Sequence, residues 1–192
     1  MAGKINKKAI EKAIFTNRTV KKLVRDIIEK EVEKEKILFR TNFESHPVTQ
    51  ELESGENASN SSGTLGGYGN LFSFLGFNRG ANPTSPIKSL IRNIKVENNV
   101  QSSAKGFKVR LNIPSKEDFA NITPMPWESG RSWLLDMERG ISGLGAYLYG
   151  RFNASRSGSG IQSKYKYSNR TFRPVKYFSE IYNKFLKRLG AI

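Results

Sequence analysis

The 192-residue chain predicts an α+β protein: a small antiparallel sheet packed with helices, and amphipathic helices at the N- and C-terminal ends. Three patterns carry this. Apolar residues recur at helical period between Ile10 and Val32, and again between Tyr177 and Leu189. Between them, Phe107, Val109, Leu111 and Ile113 alternate strictly with Lys108, Arg110 and Asn112, the period of a half-buried strand.

The first 40 residues read as a helical arm, and residues 41–192 as an α+β domain with extended loops at 53–64, 78–85 and 153–163. In the arm, Ile10, Ala13, Ile14, Val20, Leu23, Val24, Ile27, Ile28 and Val32 form one apolar stripe. Thr16 or Asn17 is placed to cap a second helix running to about Phe39. Such a helix packs on its own domain or on a neighbouring subunit. Pro47 biases His46 to an extended conformation. Ser85-Pro86 opens a short helix with Ile87, Leu90, Ile91 and Ile94 on one face. Lys95–Ser103 is the hairpin partner of the alternating strand, with a turn near Lys105-Gly106.

Ser115 and Asp118 have the spacing of a capping box opening a helix toward Ile122. Thr123-Pro124-Met125-Pro126-Trp127 breaks it. Ser129–Arg139 is expected to be helical, with Trp133, Leu134 and Met137 on one side. Tyr147–Phe152 and Lys164–Arg173 are expected strands. Pro174 is the expected start of a last helix, stopped by Gly190.

Ser62–Phe77, S-G-T-L-G-G-Y-G-N-L-F-S-F-L-G-F, carries no charge in a chain of net charge +15. Glycine permits close backbone approach, and aromatic rings bring large apolar area. Leu65, Tyr68, Leu71, Phe72, Phe74 and Phe77 are therefore candidates for core or intersubunit packing. Charge is uneven. Residues 1–40 hold 12 Lys/Arg against 6 Asp/Glu, residues 41–147 hold 10 against 10, and residues 148–192 hold 10 against Glu180 alone. Basic ends of this kind suit polyanions: nucleic acid, an anionic membrane or acidic protein faces. The candidate polyanion-facing set is Arg151, Arg156, Lys164, Lys166, Arg170 and Arg173, interleaved with aromatic residues.

Catalytic chemistry is weakly signalled. With no cysteine and one histidine, the usual zinc sites and disulfides are excluded, and no cofactor, metal or catalytic residue is assigned. Glu117, Asp118, Glu128, Asp136 and Glu138 have spacings that suit helix faces and caps as well as a carboxylate pair. Gly66-Gly67-x-Gly69 and Gly140-x-x-Gly143-x-Gly145 lack the context of a phosphate loop. No apolar run is long enough to cross a membrane, and Met1–Lys12 lacks the apolar segment of a secretory signal.

Glu44–Leu52 (E-S-H-P-V-T-Q-E-L), Ser62–Phe77, Pro124–Gly145 (P-M-P-W-E-S-G-R-S-W-L-L-D-M-E-R-G-I-S-G-L-G), Ser155–Gln162 (S-R-S-G-S-G-I-Q) and the closing F-S-E-I-Y-N-K-F carry a resemblance. Over Glu44 to Phe185 the chain resembles virion structural proteins of tailed bacteriophages, of the neck or tail-completion type. The resemblance implies a non-enzymatic subunit made in the host cytoplasm. It implies a homo-oligomeric ring, often sixfold, around the DNA channel, with other neck and tail proteins and packaged DNA as partners and no membrane. The alternatives from the residues are a stand-alone nucleic-acid-binding protein and a particle-associated hydrolase.

Overall fold

The computed structural model describes residues 7–65, 69–103, 106–126, 128–139 and 175–191. Among them the chain is mixed helix and strand, with helices at both ends. α1 (Lys7–Thr16) and α2 (Arg18–Glu44) meet at Asn17, whose carboxamide oxygen accepts the N–H of Thr19 and Val20 at 2.8 and 3.2 Å. That cap satisfies two of the orphan donors at the start of α2. α2 runs 27 residues without interruption. It therefore passes through residue 40, where the arm was expected to end, and its last turns belong to the core.

The single stripe expected on the arm is two rows. Val32, Glu35, Phe39 and Phe43 are buried, and Val20, Val24 and Ile28 lead into them half-buried. Leu23 and Ile27 stand one residue earlier, about 100° around the helix, and are exposed. Phe39 is the hub of an aromatic cluster. Its ring stacks on Phe185 at 4.8 Å and meets Phe119, Phe178 and Tyr182 at 6.4, 5.9 and 6.1 Å. Three segments far apart in sequence are joined there.

α3 (Pro47–Glu53) is a helix where no helix was expected. His46 is extended, as Pro47 requires, and in that conformation it serves as the N-cap: its Nδ1 accepts the Val48 N–H at 3.2 Å. A 3-10 turn (Gly55–Asn57) follows, then α4 (Leu71–Phe74) and α5 (Ser85–Arg92), the last with proline in its first turn as expected. Lys88 of α5 bridges Glu53 at 2.7 Å and Glu44 at 3.5 Å, so it ties together the ends of α2 and α3.

β1 (Lys95–Ser103) and β2 (Gly106–Asn112) form the expected antiparallel hairpin, with Lys95 opposite Asn112 and Ser103 opposite Gly106. Val96 and Val100, four residues apart and so on one face of the strand, are both buried on either side of a register shift, with β1 lying along α2. α6 (Lys116–Asn121) opens on the full capping box of Ser115 and Asp118.

The helix expected over Ser129–Arg139 begins only at Trp133. β3 (Pro124–Met125) pairs with β4 (Glu128–Ser132), and α7 covers Trp133–Arg139. Gly130 at φ +80° cannot continue a helix comfortably, whereas Ser132 Oγ accepts the Leu135 N–H at 3.3 Å and so starts one. Trp133, Leu134 and Met137 are buried.

The last helix, α8 (Phe178–Arg188), starts four residues beyond Pro174, which lies outside the described residues, as do the two other expected strands and the 153–163 loop. Tyr177 holds φ −124° and ψ −104°, outside helical space, because its buried ring and hydroxyl are fixed against Phe43 and Thr49. α8 ends on Gly190 at φ +66°. The N–H of Ala191 bonds Leu186 O at 3.0 Å and that of Gly190 bonds Lys187 O at 3.1 Å, a Schellman closure.

Replacing the hub ring, Phe39→Ala, is expected to cost about 3–5 kcal/mol in urea unfolding, while Leu23→Ala on the outer row stays within about 0.5 kcal/mol.

Candidate functional site

The uncharged strip turns inward. Leu65, Leu71, Phe72 and Phe77 are buried, Phe74 packs on the same core half-buried, and Tyr68 lies outside the described residues. The device that seats them is Glu51, a fully buried carboxylate on α3. Its Oε1 accepts the Leu71 N–H at 2.7 Å and its Oε2 accepts the Ser62 N–H at 2.9 Å. Asn70 caps α4 by accepting the Ser73 N–H at 2.8 Å, and its amide donates to Glu56 O at 2.9 Å. Gly76 at φ +78° closes the turn, with Phe77 N–H on Phe72 O at 3.2 Å and Gly76 N–H on Ser73 O at 3.1 Å. That is a second Schellman closure. It folds Phe77 back onto Phe72 (ring centroids 5.5 Å apart) and edge-on to Trp133 at 6.0 Å.

The acids weighed as a catalytic pair are spread through structural roles. The backbone and hydroxyl of Ser115 hold Asp118 below the ordinary carboxylate range. Asp136 accepts Arg131 at 2.6 Å. Glu138 receives both the N–H and the hydroxyl of Ser179, so it caps the start of α8 from α7. Glu117 is exposed, and the Glu128 side chain lies outside the described part of the structure. No group of three or more His, Asp or Glu that could hold a metal occurs among the described residues.

His46 is half-buried with its ring tilted against Tyr177 at 4.7 Å. Burial pushes its imidazole below the ordinary value of 6.5, with Glu180 opposing the shift. Tyr177 hydroxyl pairs with Thr49 at 2.5 Å, and burial pushes the phenol far upward.

All six candidate polyanion-facing residues, Arg151, Arg156, Lys164, Lys166, Arg170 and Arg173, lie outside the described residues, as do Gly66, Gly67, Gly140, Gly143 and Gly145. On either side of that basic tract, Val175 N–H bonds Met137 O at 3.3 Å. Just after it, Lys176, Lys184 and Arg188 line a cleft of about 310 Å³ between α2 and α8, with Asn42, His46 and Glu180. Two of its cations are engaged: Lys184 with Glu180 at 2.7 Å, and Arg188 with the buried Glu35 at 3.6 Å.

The unspent apolar surface is on the first two helices. Ile10, Ile14, Leu23 and Ile27 keep 50, 44, 56 and 67% of their surface in solvent, and Ile37 and Leu38 are exposed as well. Reading Ile10 to Val32 as one stripe hid this, because a stripe that wide cannot all face one core. The offset between the rows Val20-Val24-Ile28-Val32 and Leu23-Ile27 was the available signal. No helix among the described residues is long and apolar enough to cross a membrane. No protein-family model matches the chain, and no curated protein or solved structure matches it significantly.

Two outcomes follow. Glu51→Ala leaves the Ser62 and Leu71 N–H groups without acceptors and is expected to cost about 2–5 kcal/mol in denaturant unfolding, with Glu51→Gln, which keeps one acceptor, costing less. For His46, the folded chain disfavours the proton that the unfolded chain takes up, so stability is full above pH 6.5 and falls as pH drops through that value. His46→Asn, which caps without titrating, is expected to flatten the dependence of melting temperature on pH in that window.

Proposed function

We propose that this chain is a non-enzymatic structural subunit of a tailed-phage virion, joining copies of itself into a ring at the neck or tail, around the DNA channel, in tail completion or head–tail connection. The observation that carries the reading is where the apolar surface was left. The uncharged strip is spent on the chain's own core, while six aliphatic side chains on α1 and α2 stand in water in an otherwise strongly charged protein. Exposed apolar patches on helices are what subunit contacts use. Of the acids that would serve a hydrolase, Asp118 and Glu138 cap helices and Asp136 pairs with Arg131. The resemblance to neck and tail-completion proteins supplies the virion context, with other virion proteins of the neck and tail as neighbours.

A second reading, a stand-alone nucleic-acid-binding protein, is favoured by one observation. Residues 140–174 hold six Lys/Arg and no acid. In a ring the same charge would face DNA in the lumen or an acidic partner ring.

Light scattering on the purified chain at low and high salt separates these. A ring subunit gives a discrete oligomer that survives high salt, because apolar burial is not screened. A chain that stays monomeric both alone and beside its particle partners contradicts the ring. A monomer that binds DNA with a logarithmic salt slope of up to about −5, as expected if all six cations meet phosphates, favours the nucleic-acid module instead.

A further inference from the structure

We infer that the outward face of the β1–β2 hairpin docks on double-stranded DNA, with the two strands lying as a ribbon in the major groove. This rests on the reading that places DNA beside the chain and does not depend on the closure of a ring. The hairpin has two unlike faces. Inward, Val96 and Val100 are buried, Val109 and Leu111 are half-buried, and the Phe107 ring meets Phe15 of α1 edge-on at 5.4 Å. Outward, Lys95, Gln101, Lys108, Arg110 and Asn112 are exposed, and among the described residues of the two strands no apolar side chain is exposed. Packing from behind therefore presents a polar face to solvent. β1 has nine residues and β2 seven. At about 3.3 Å per residue the ribbon is on the order of 20 Å long, and the major groove, about 12 Å wide, admits a ribbon of two strands.

What stands across from each cation selects the partner. Lys95 is opposite Asn112 and Lys108 is opposite Gln101. Arg110 faces the irregularity between Val96 and Val100, where Glu97, Asn98 and Asn99 are exposed. A face that is only solvated gains from opposite charges set across the strands. Here two of the three cations have an amide instead. Lys95, Lys108 and Arg110 form no ion pair among the described residues, whereas Lys184 and Arg188 of the α2–α8 cleft are engaged by Glu180 and Glu35. Glu97 is the one acid on the two strands. At the foot of the ribbon, Glu29 and Glu33 line the groove between α2 and β1, and they are paired with Arg25 at 3.8 Å and Lys36 at 2.5 Å. Lys and Arg neutralise phosphates or pair with guanine O6 and N7, and Asn and Gln pair with adenine N6 and N7. Cations interleaved with amides are thus the donor and acceptor set that a major groove uses. An acidic protein face would engage the cations and leave the amides idle. The net charge of +15 draws the whole chain toward such a polyanion.

Fluorescence anisotropy of the full chain with a labelled duplex of about two helical turns, titrated with salt, tests this. K108A/R110A alters the ribbon, and K30A/K34A removes the same charge from α2 as a matched control. All four residues are exposed, so both variants are expected to melt within a few degrees of the parent. K108A/R110A is expected to weaken duplex binding at least about tenfold and to make the logarithmic salt slope shallower by about 1–2, while K30A/K34A changes the Kd less than about threefold. A duplex with bulky groups at the cytosine 5-position, which fill the major groove, is expected to bind more weakly, and a minor-groove ligand is expected not to compete. Equal losses from the two variants, binding of K108A/R110A that matches the parent, or indifference to bulk in the major groove overturns the docking surface. So does a parent chain that binds no duplex, or a loss in K108A/R110A confined to an acidic partner protein. None of these results bears on ring assembly, which light scattering reads separately.

Discussion

A buried carboxylate sets what this molecule can offer its surroundings. Glu51 has no exposed surface, yet both of its oxygens are occupied by backbone N–H groups, of Ser62 and of Leu71. An unpaired charge at that depth would be prohibitive, whereas a carboxylate with two directed donors is stable there. The two donors bracket the glycine-rich stretch, so one side chain fixes where the strip begins and where its helical turn starts. With Asn70 and Gly76 closing that turn at either end, Leu71, Phe72, Leu75 and Phe77 have no direction left but inward. Surface that would have made the chain adhere indiscriminately is thereby removed from solvent.

The consequence is a division of labour along α2. From Val32 onward the helix is the spine of the core, and Phe39 joins α6 and α8 to it through four ring contacts. Before Val32 it is half-covered by the hairpin and otherwise bare, and α1 extends the bare region. Apolar residues on one continuous helix therefore divide by face: Val32, Phe39 and Phe43 stabilise the chain's own core, while Leu23, Ile27, Ile37 and Leu38 stay exposed.

Much of the architecture was legible in the residues. The hairpin was readable because the alternation of its second strand is strict and a glycine, Gly106, stands between the two runs. Asn17, Ser115 with Asp118, Pro86 and Gly190 announced helix ends through side-chain chemistry that acts locally. What could not be read depended on distant partners. His46-Pro47 starts a helix, which its extended bias alone did not reveal. The start of α8 is set by Tyr177 and by Glu138 from another helix. Whether the strip faced a core or a neighbour turned on Glu51, which in sequence is one glutamate among several. The bare rows of α1 and α2 were hidden for the opposite reason: a helical period shows that a helix is amphipathic, and only packing decides how much of the apolar face is covered.

Hydrogen exchange on the full chain, followed by mass spectrometry in dilute and concentrated solution, tests this division most directly. The amides of Leu71 to Phe77 should exchange slowly at both concentrations, since the chain's own core protects them. Those of α1 and the first turns of α2, Lys7 to Glu31, should slow only when the chain is concentrated. A strip that exchanges freely in the dilute chain, or an α1–α2 region indifferent to concentration, would contradict a molecule that buries its uncharged strip internally and keeps its outer helices for assembly.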